Sequence, residues 1–176
     1  KLLLSAKEGA IDDLKELIEM GVALDTKDMH GWTALTYASG VGNVECVKML
    51  LEANANPNIE ENDGWTPIMF AAYRGHDDIV DLLAFAGASF VSRTKTSVTV
   101  LGASKLNSNR KKDLHHKIAN HALFEGLKLG DQDICVEAVD EGAELDIENG
   151  IGWNALILFV YHGYERIVKR MMTYIS

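Results

Sequence analysis

Only two cysteines, Cys46 and Cys135, occur among the 176 residues. That excludes a small domain stapled by several disulfides and points to a reducing compartment, cytosol or nucleus. Long apolar runs are missing too: no stretch approaches the ~18–20 residues needed to cross a bilayer as a helix. The chain opens Lys1-Leu2-Leu3-Leu4 without an initiating Met, and this run is too short for the core of a signal peptide. Residue 1 therefore reads as a cut point inside a longer protein. Positive charge is scarce: 17 Lys and Arg stand against 26 Asp and Glu, for a net charge of -9. Such a balance disfavours non-specific binding of nucleic acid by the chain as a whole.

The signatures of catalysis and metal binding are equally thin. His115, His116 and His121 contain no i,i+4 pair, and neither cysteine stands at a ligand spacing, so no metal or cofactor is expected. Gly150-Ile151-Gly152-Trp153-Asn154-Ala155 fits a dinucleotide-binding pattern, but no strand precedes it. Ser92-Arg93-Thr94-Lys95 fits a nucleophile motif whose companion motifs are missing. No carboxylate pair or nucleophile–base set stands out, and the chain reads as a non-enzyme.

What the sequence has is a repeat. Gly31-Trp32-Thr33-Ala34-Leu35 is followed by Ala38 and Gly42, and Gly64-Trp65-Thr66-Pro67-Ile68 by Ala71 and Gly75, an offset of 33 residues. Gly152-Trp153-Asn154-Ala155-Leu156, followed by Phe159 and Gly163, aligns without gaps, and in all three segments the glycines stand 11 apart. Apolar positions of a second amphipathic helix follow: Val47, Leu50 and Leu51; Val80, Leu82 and Leu83; Val168, Met171 and Met172. Partial copies begin at Ala6-Lys7-Glu8-Gly9 and at Leu127-Lys128-Leu129-Gly130, and a faint one keeps Thr99 and Leu101 in phase.

The segment Glu61-Asn62-Asp63-Gly64-Trp65-Thr66-Pro67-Ile68-Met69-Phe70-Ala71-Ala72-Tyr73-Arg74-Gly75-His76 resembles the ankyrin repeat, a turn followed by two antiparallel helices. The resemblance extends over nearly the whole chain. It implies an all-α solenoid of about six helix-turn-helix units with short β-turn fingers. The units fall at residues 1–27, 28–60, 61–93, 94–115, 116–148 and 149–176, a single array. Gly31 and Gly64 suit a turn needing a permissive backbone, Thr66 is placed to cap the first helix, and Pro67 to open it. The His that follows Leu in the family pattern is absent, replaced by Thr36, Met69, Gly102, Phe124 and Ile157, so the hydrogen bonds it supplies must be lost or made otherwise.

Phase breaks in the middle. Counting forward from Gly64 sets the next repeat at Ser97, and counting back from Gly152 sets another at Ala119, only 22 residues apart. Arg110 to Gly130 contains neither Pro nor a turn cluster, and Leu114, Ile118, Leu123 and Leu127 have helical spacing. The fourth unit is therefore expected to be degenerate, lacking a full finger and passing into the fifth through helix alone. The alternative is an irregular loop from Ser89 to Asn109.

The resemblance implies a protein-interaction module, a scaffold or adaptor whose partner, a protein or peptide, lies on the concave face of fingers and first helices. Matching contact positions are Met29, His30, Trp32 and Val41; Asn62, Asp63, Trp65, Tyr73 and Arg74; and Ile151, Trp153, Tyr161 and His162. Aromatic residues and Arg are typical interface anchors, although each Trp could instead pack on its neighbouring finger. The alternative surface is a basic island from Arg93 to Lys117, with Lys105, Arg110, Lys111, Lys112 and Lys117. It would dock an anionic ligand, a phosphopeptide or nucleic acid. Asn58 stands where the family carries a hydroxylated asparagine, but Pro57 precedes it where an aliphatic residue is usual.

Overall fold

The computed structural model describes residues 1–106, 112–146 and 154–175, with backbone only for 171–175. It divides into two compact units, Lys1–Arg110 and Lys111–Ser176. Among the described residues it is built of helices, with one isolated antiparallel bridge between Arg93 and Thr99.

The first unit is a two-row stack. Helices α1 (Leu2–Glu8), α3 (Ala34–Val41), α5 (Pro67–Arg74) and α7 (Val100–Lys105) pack in sequence along one row. Helices α2 (Ile11–Glu19), α4 (Val44–Glu52) and α6 (Asp77–Phe85) form the other, each against its own first helix. The alanines explain the closeness of the rows: Ala34, Ala38, Ala71, Ala72 and Ala103 are all essentially inaccessible. Leu14, Leu35, Leu50, Ile68, Ile79 and Leu83 fill the space between rows with no exposed surface to speak of. Burying each such side chain stabilises the stack by roughly 1.5–3 kcal/mol relative to leaving it exposed. Cys46 lies in this core, and burial, then the Glu45 charge, pushes its thiol up.

Between helix pairs the chain turns out into fingers, and three are built alike. Asp28 N–H donates to Trp32 O (3.0 Å) and Gly31 N–H to Asp28 O (3.0 Å). Glu61 with Trp65 and Gly64 with Glu61 repeat these bonds at 2.9 and 3.0 Å. Thr94 with Val98 and Ser97 with Thr94 repeat them again at 2.9 Å each. The turn requires a left-handed residue, met by Gly31 (φ 82°) and Gly64 (φ 89°) and, without a glycine, by Ser97 (φ 62°). Adjacent fingers are tied by backbone bonds, Asn62 N–H to His30 O (3.1 Å) and Lys95 N–H to Asp63 O (2.9 Å).

Two expectations are corrected here. The fourth unit does not lack its own finger: the Arg93–Thr99 turn and α7 form in phase, so the described part of the Ser89 to Asn109 segment, up to Leu106, is not simply an irregular loop. The loss lies beyond α7. Thr66, in turn, does not cap α5 through its side chain. Met69 N–H goes instead to the Thr66 carbonyl (3.1 Å), and the Thr66 hydroxyl oxygen is buried with no partner among the described residues. Its counterparts do cap: Thr33 Oγ1 accepts from Thr36 N–H (3.2 Å) and Thr99 Oγ1 from Gly102 N–H (3.0 Å).

In the second unit, α8 (Lys112–Leu129) packs on α9 (Gln132–Asp140), α9 on α11 (Glu165–Ile175), and α10 (Ala155–Tyr161) on both α11 and α8. Eighteen residues of α8 run without interruption through the place where a finger falls due, near Ala119, as the spacing predicts. Ile118, Ala119, Ala122 and Leu123 are all buried there, which explains why the segment stays helical rather than turning outward. The helix also replaces a bond that loops make elsewhere. Asp25 accepts from Asn56 N–H (3.0 Å) and Asn58 from Ser89 N–H (2.8 Å), each fastening one repeat's closing loop to the next. At the equivalent Glu144, the N–H donates (2.7 Å) to Asn120, a residue of α8. His115 Nε2, buried, meets Glu141 Oε2 at 3.1 Å. Cys135 is buried as expected, and desolvation, then the Asp131 charge, pushes its thiol up to about 12.

Candidate functional site

Phe70 of α5 stands between the two described tryptophans. Its ring centroid lies 4.5 Å from that of Trp32 and 5.2 Å from that of Trp65. Tyr37 of α3 extends the row on one side, 4.9 Å from Trp32, and Tyr73 on the other, 5.9 Å from Trp65 and edge-on. Five rings from two repeats thus form one strip where fingers meet first helices, at the offset-stacked and edge-to-face separations that aromatic pairs favour. Each tryptophan is half-buried. Trp32 and Trp65 thus pack against neighbouring rings on one side, and the rest of each indole remains open.

One flank of the strip is a groove of about 720 Å³. Its wall is a single repeat position read four times: Lys7, Gly40, Tyr73 and Leu106 stand 33 residues apart at the ends of α1, α3, α5 and α7. Val41 and Arg74 complete it. Gly40 leaves the gap in this wall. A Cβ built there would lie 3.9 Å from both Phe70 Cβ and Trp32 Cζ3, at ordinary contact distance. The apolar edges are bare, with Val41 55%, Tyr73 36% and Leu106 58% exposed. A cation stands over an aromatic ring toward either end: Lys7 Nζ is 5.5 Å from the Tyr37 centroid, and the Arg74 guanidinium 5.6 Å from that of Tyr73.

The other flank, a groove of about 580 Å³, shares the four central rings and adds His30, Glu61, Asn62 and Asp63. Its acids are engaged with the fingers. Asp28 Oδ1 accepts from the N–H groups of His30 and Trp32 (2.9 Å each), and Oδ2 from the Tyr37 hydroxyl (2.7 Å). Desolvation pushes the Asp28 carboxyl up. The Tyr37 hydroxyl, the Trp32 and His30 N–H groups and the His30 charge outweigh it and hold the group below the ordinary carboxylate range. The same hydrogen bond, then burial, then the Asp28 charge, raises the Tyr37 hydroxyl. Glu61 Oε1 does the same work in the following repeat, accepting from Asp63 N–H (2.8 Å) and Trp65 N–H (3.0 Å). Phe70 stands where Tyr37 stood and has no hydroxyl to offer it.

Of the residues expected at a contact face, Trp32, Val41, Trp65, Tyr73 and Arg74 come together in the first groove, and His30, Asn62 and Asp63 in the second. Asn62 is also a strut, its side-chain amide donating to Met29 O (3.0 Å). Met29 itself is 85% exposed and lines neither groove. Tyr161 and His162 belong to the second unit, where their rings meet edge-on at 5.3 Å and His162 stacks on Tyr164. Ile151 and Trp153 lie outside the described residues. The basic segment is divided: exposed Arg93, Lys95 and Lys105 belong to the first unit, Lys112 and Lys117 to the second, and Arg110 and Lys111 lie outside the described residues. Sequence reasoning missed Lys7, Tyr37, Gly40, Phe70 and Leu106. The 33-residue column through Lys7, Gly40, Tyr73 and Leu106, followed at the same phase, would have found most of them.

Stacked helix pairs with projecting fingers, each unit touching only its neighbours, define a helical repeat solenoid in the first unit. The family model for ankyrin repeats (3 copies) matches residues 2–94, and the chain belongs to the ankyrin-repeat family. Ankyrin repeats as a class are protein-binding modules. None of the curated proteins compared with the chain matches it. Among the described residues no helix is long and apolar enough to cross a membrane.

Proposed function

We propose that the chain is a non-catalytic scaffold or adaptor segment that docks a partner protein or peptide on the concave face of its first unit. The observation that carries this reading is the aromatic strip, Tyr37, Trp32, Phe70, Trp65 and Tyr73, left half-open beside the larger groove. Rigid aromatic side chains beside an Arg are the composition of interface anchors, and a half-open strip of this kind gains stability when a partner covers it. Two buried, unreactive thiols suit a reducing compartment, cytosol or nucleus.

The test is a peptide-display selection against the immobilised chain, with the winners re-measured on variants. Tyr73→Ala and Arg74→Ala should each weaken the selected ligands by about tenfold or more, while Lys48→Ala on α4 leaves them unchanged. Far-UV circular dichroism checks that the variants stay folded. Winners indifferent to Tyr73 and Arg74 but lost with Lys48→Ala would move the binding surface to the second row of helices.

A further inference from the structure

The groove has a charge pattern opposite to that of the molecule around it. The chain carries a net charge of -9, yet among the described residues the larger groove is lined by two cations, Lys7 and Arg74, and by no carboxylate. On the other flank of the strip, Asp28 spends both oxygens, and Glu61 its Oε1, on holding the fingers. Lys7 and Arg74 make no ion pair within 4.0 Å to any described residue; each has an aromatic face beneath it instead. Between them the wall drops at Gly40, where the floor is Trp32 and Phe70. The surface is thus positive, apolar and recessed, then positive again.

Resting on the concave-face reading above, we infer that the partner presents an extended acidic segment, with an apolar side chain seated over Gly40 against Trp32 and Phe70 and a carboxylate on each side meeting Lys7 and Arg74. Opposite charges at the two ends fix register and speed encounter, while the apolar anchor supplies most of the affinity. A cation that lies over an aromatic face without an ion-pair partner still has N–H groups to offer, so a carboxylate meets it without displacing an ion pair inside the protein. A basic segment finds repulsion at both ends of the recess.

The experiment uses the full chain carrying Trp153→Phe, so that Trp32 and Trp65 alone report by fluorescence. Three blocked nonapeptides are titrated: a central leucine between two Glu-Asp pairs, the same with Gln-Asn pairs, and the same with Lys-Lys pairs. The acidic peptide should bind about tenfold or more tightly than the amide peptide, weaken with added salt, and leave the lysine peptide without measurable binding. Lys7→Glu combined with Arg74→Glu should invert that order, and Gly40→Leu, which fills the recess, should abolish binding of the acidic peptide. Equal binding of the acidic and amide peptides, lost with Gly40→Leu, overturns the acidic-partner inference and leaves the groove a binding surface. Acidic-peptide binding that survives Gly40→Leu places the contact elsewhere and overturns both. Indole emission unmoved by all three peptides overturns this inference, while the display selection still decides the broader reading.

Discussion

Thr33 and Thr66 occupy one position a repeat apart, and they differ in what their hydroxyls find. At Thr33 the neighbour three residues on is Thr36, which offers both a backbone N–H at 3.2 Å and a hydroxyl at 3.0 Å. At Thr66 it is Met69, which offers neither to the side chain, so a polar atom is sealed in without a bond. The family's missing His therefore has a local remedy in one repeat and none in the next. Thr66→Val should stabilise the protein by about 1 kcal/mol, because a methyl group replaces an unsatisfied hydroxyl of the same shape. Thr33→Val should destabilise it by about 1 kcal/mol, having removed a working cap. Urea denaturation of both variants reads the signs, and equal shifts in the same direction would contradict the account.

At the scale of the element, the first two fingers are each an acid folded over two N–H groups, and in one of them a tyrosine closes it. The third uses the Thr94 hydroxyl, which accepts from Val98 N–H. Asp28 is held below its unfolded carboxyl value, so its share of stability is present above pH ~4 and lost as pH falls through the folded value. Tyr37 is raised, so its share is complete below pH ~10 and lost as pH rises through the folded value. Tyr37→Phe should therefore lower the Tm clearly near neutrality and much less in strong acid or strong base. A pH-independent deficit would show that the ring packing, not the hydrogen bond, distinguishes the variant. The fingers were legible in the sequence because glycine and tryptophan recur at fixed spacing. So was the uninterrupted α8, since a segment with helical apolar spacing and no breaker has nothing to turn it. Thr66 is deceptive because a Thr before Pro looks like a cap until the residue three positions on is considered. Tyr37 and Phe70 are hidden for a different reason: they reach the groove from the first helix, each five residues beyond the tryptophan that marks its finger.

At the scale of the whole molecule, the stack in the first unit has no long-range core. Its stability is a sum of repeats and of the seams between them. Ile68 lies fully buried in α5, the helix that contacts α3, α6 and α7. Ile68→Ala should cost about 3 kcal/mol, and amide hydrogen exchange should accelerate in α3, α5, α6 and α7 more than in α1. Uniform acceleration across the unit would mean that it unfolds as one block. Periodic construction also creates an ambiguity of phase, because a ligand that fits one repeat fits the next after a slip of one step. The exchange of Tyr37 for Phe70 and of Asp28 for Glu61 removes it. One acid is closed by a hydroxyl, while its copy shows a second oxygen that no tyrosine covers. Neighbouring fingers thus carry different addresses on an otherwise repeating ruler, and a chain docked as proposed would have one place to stop.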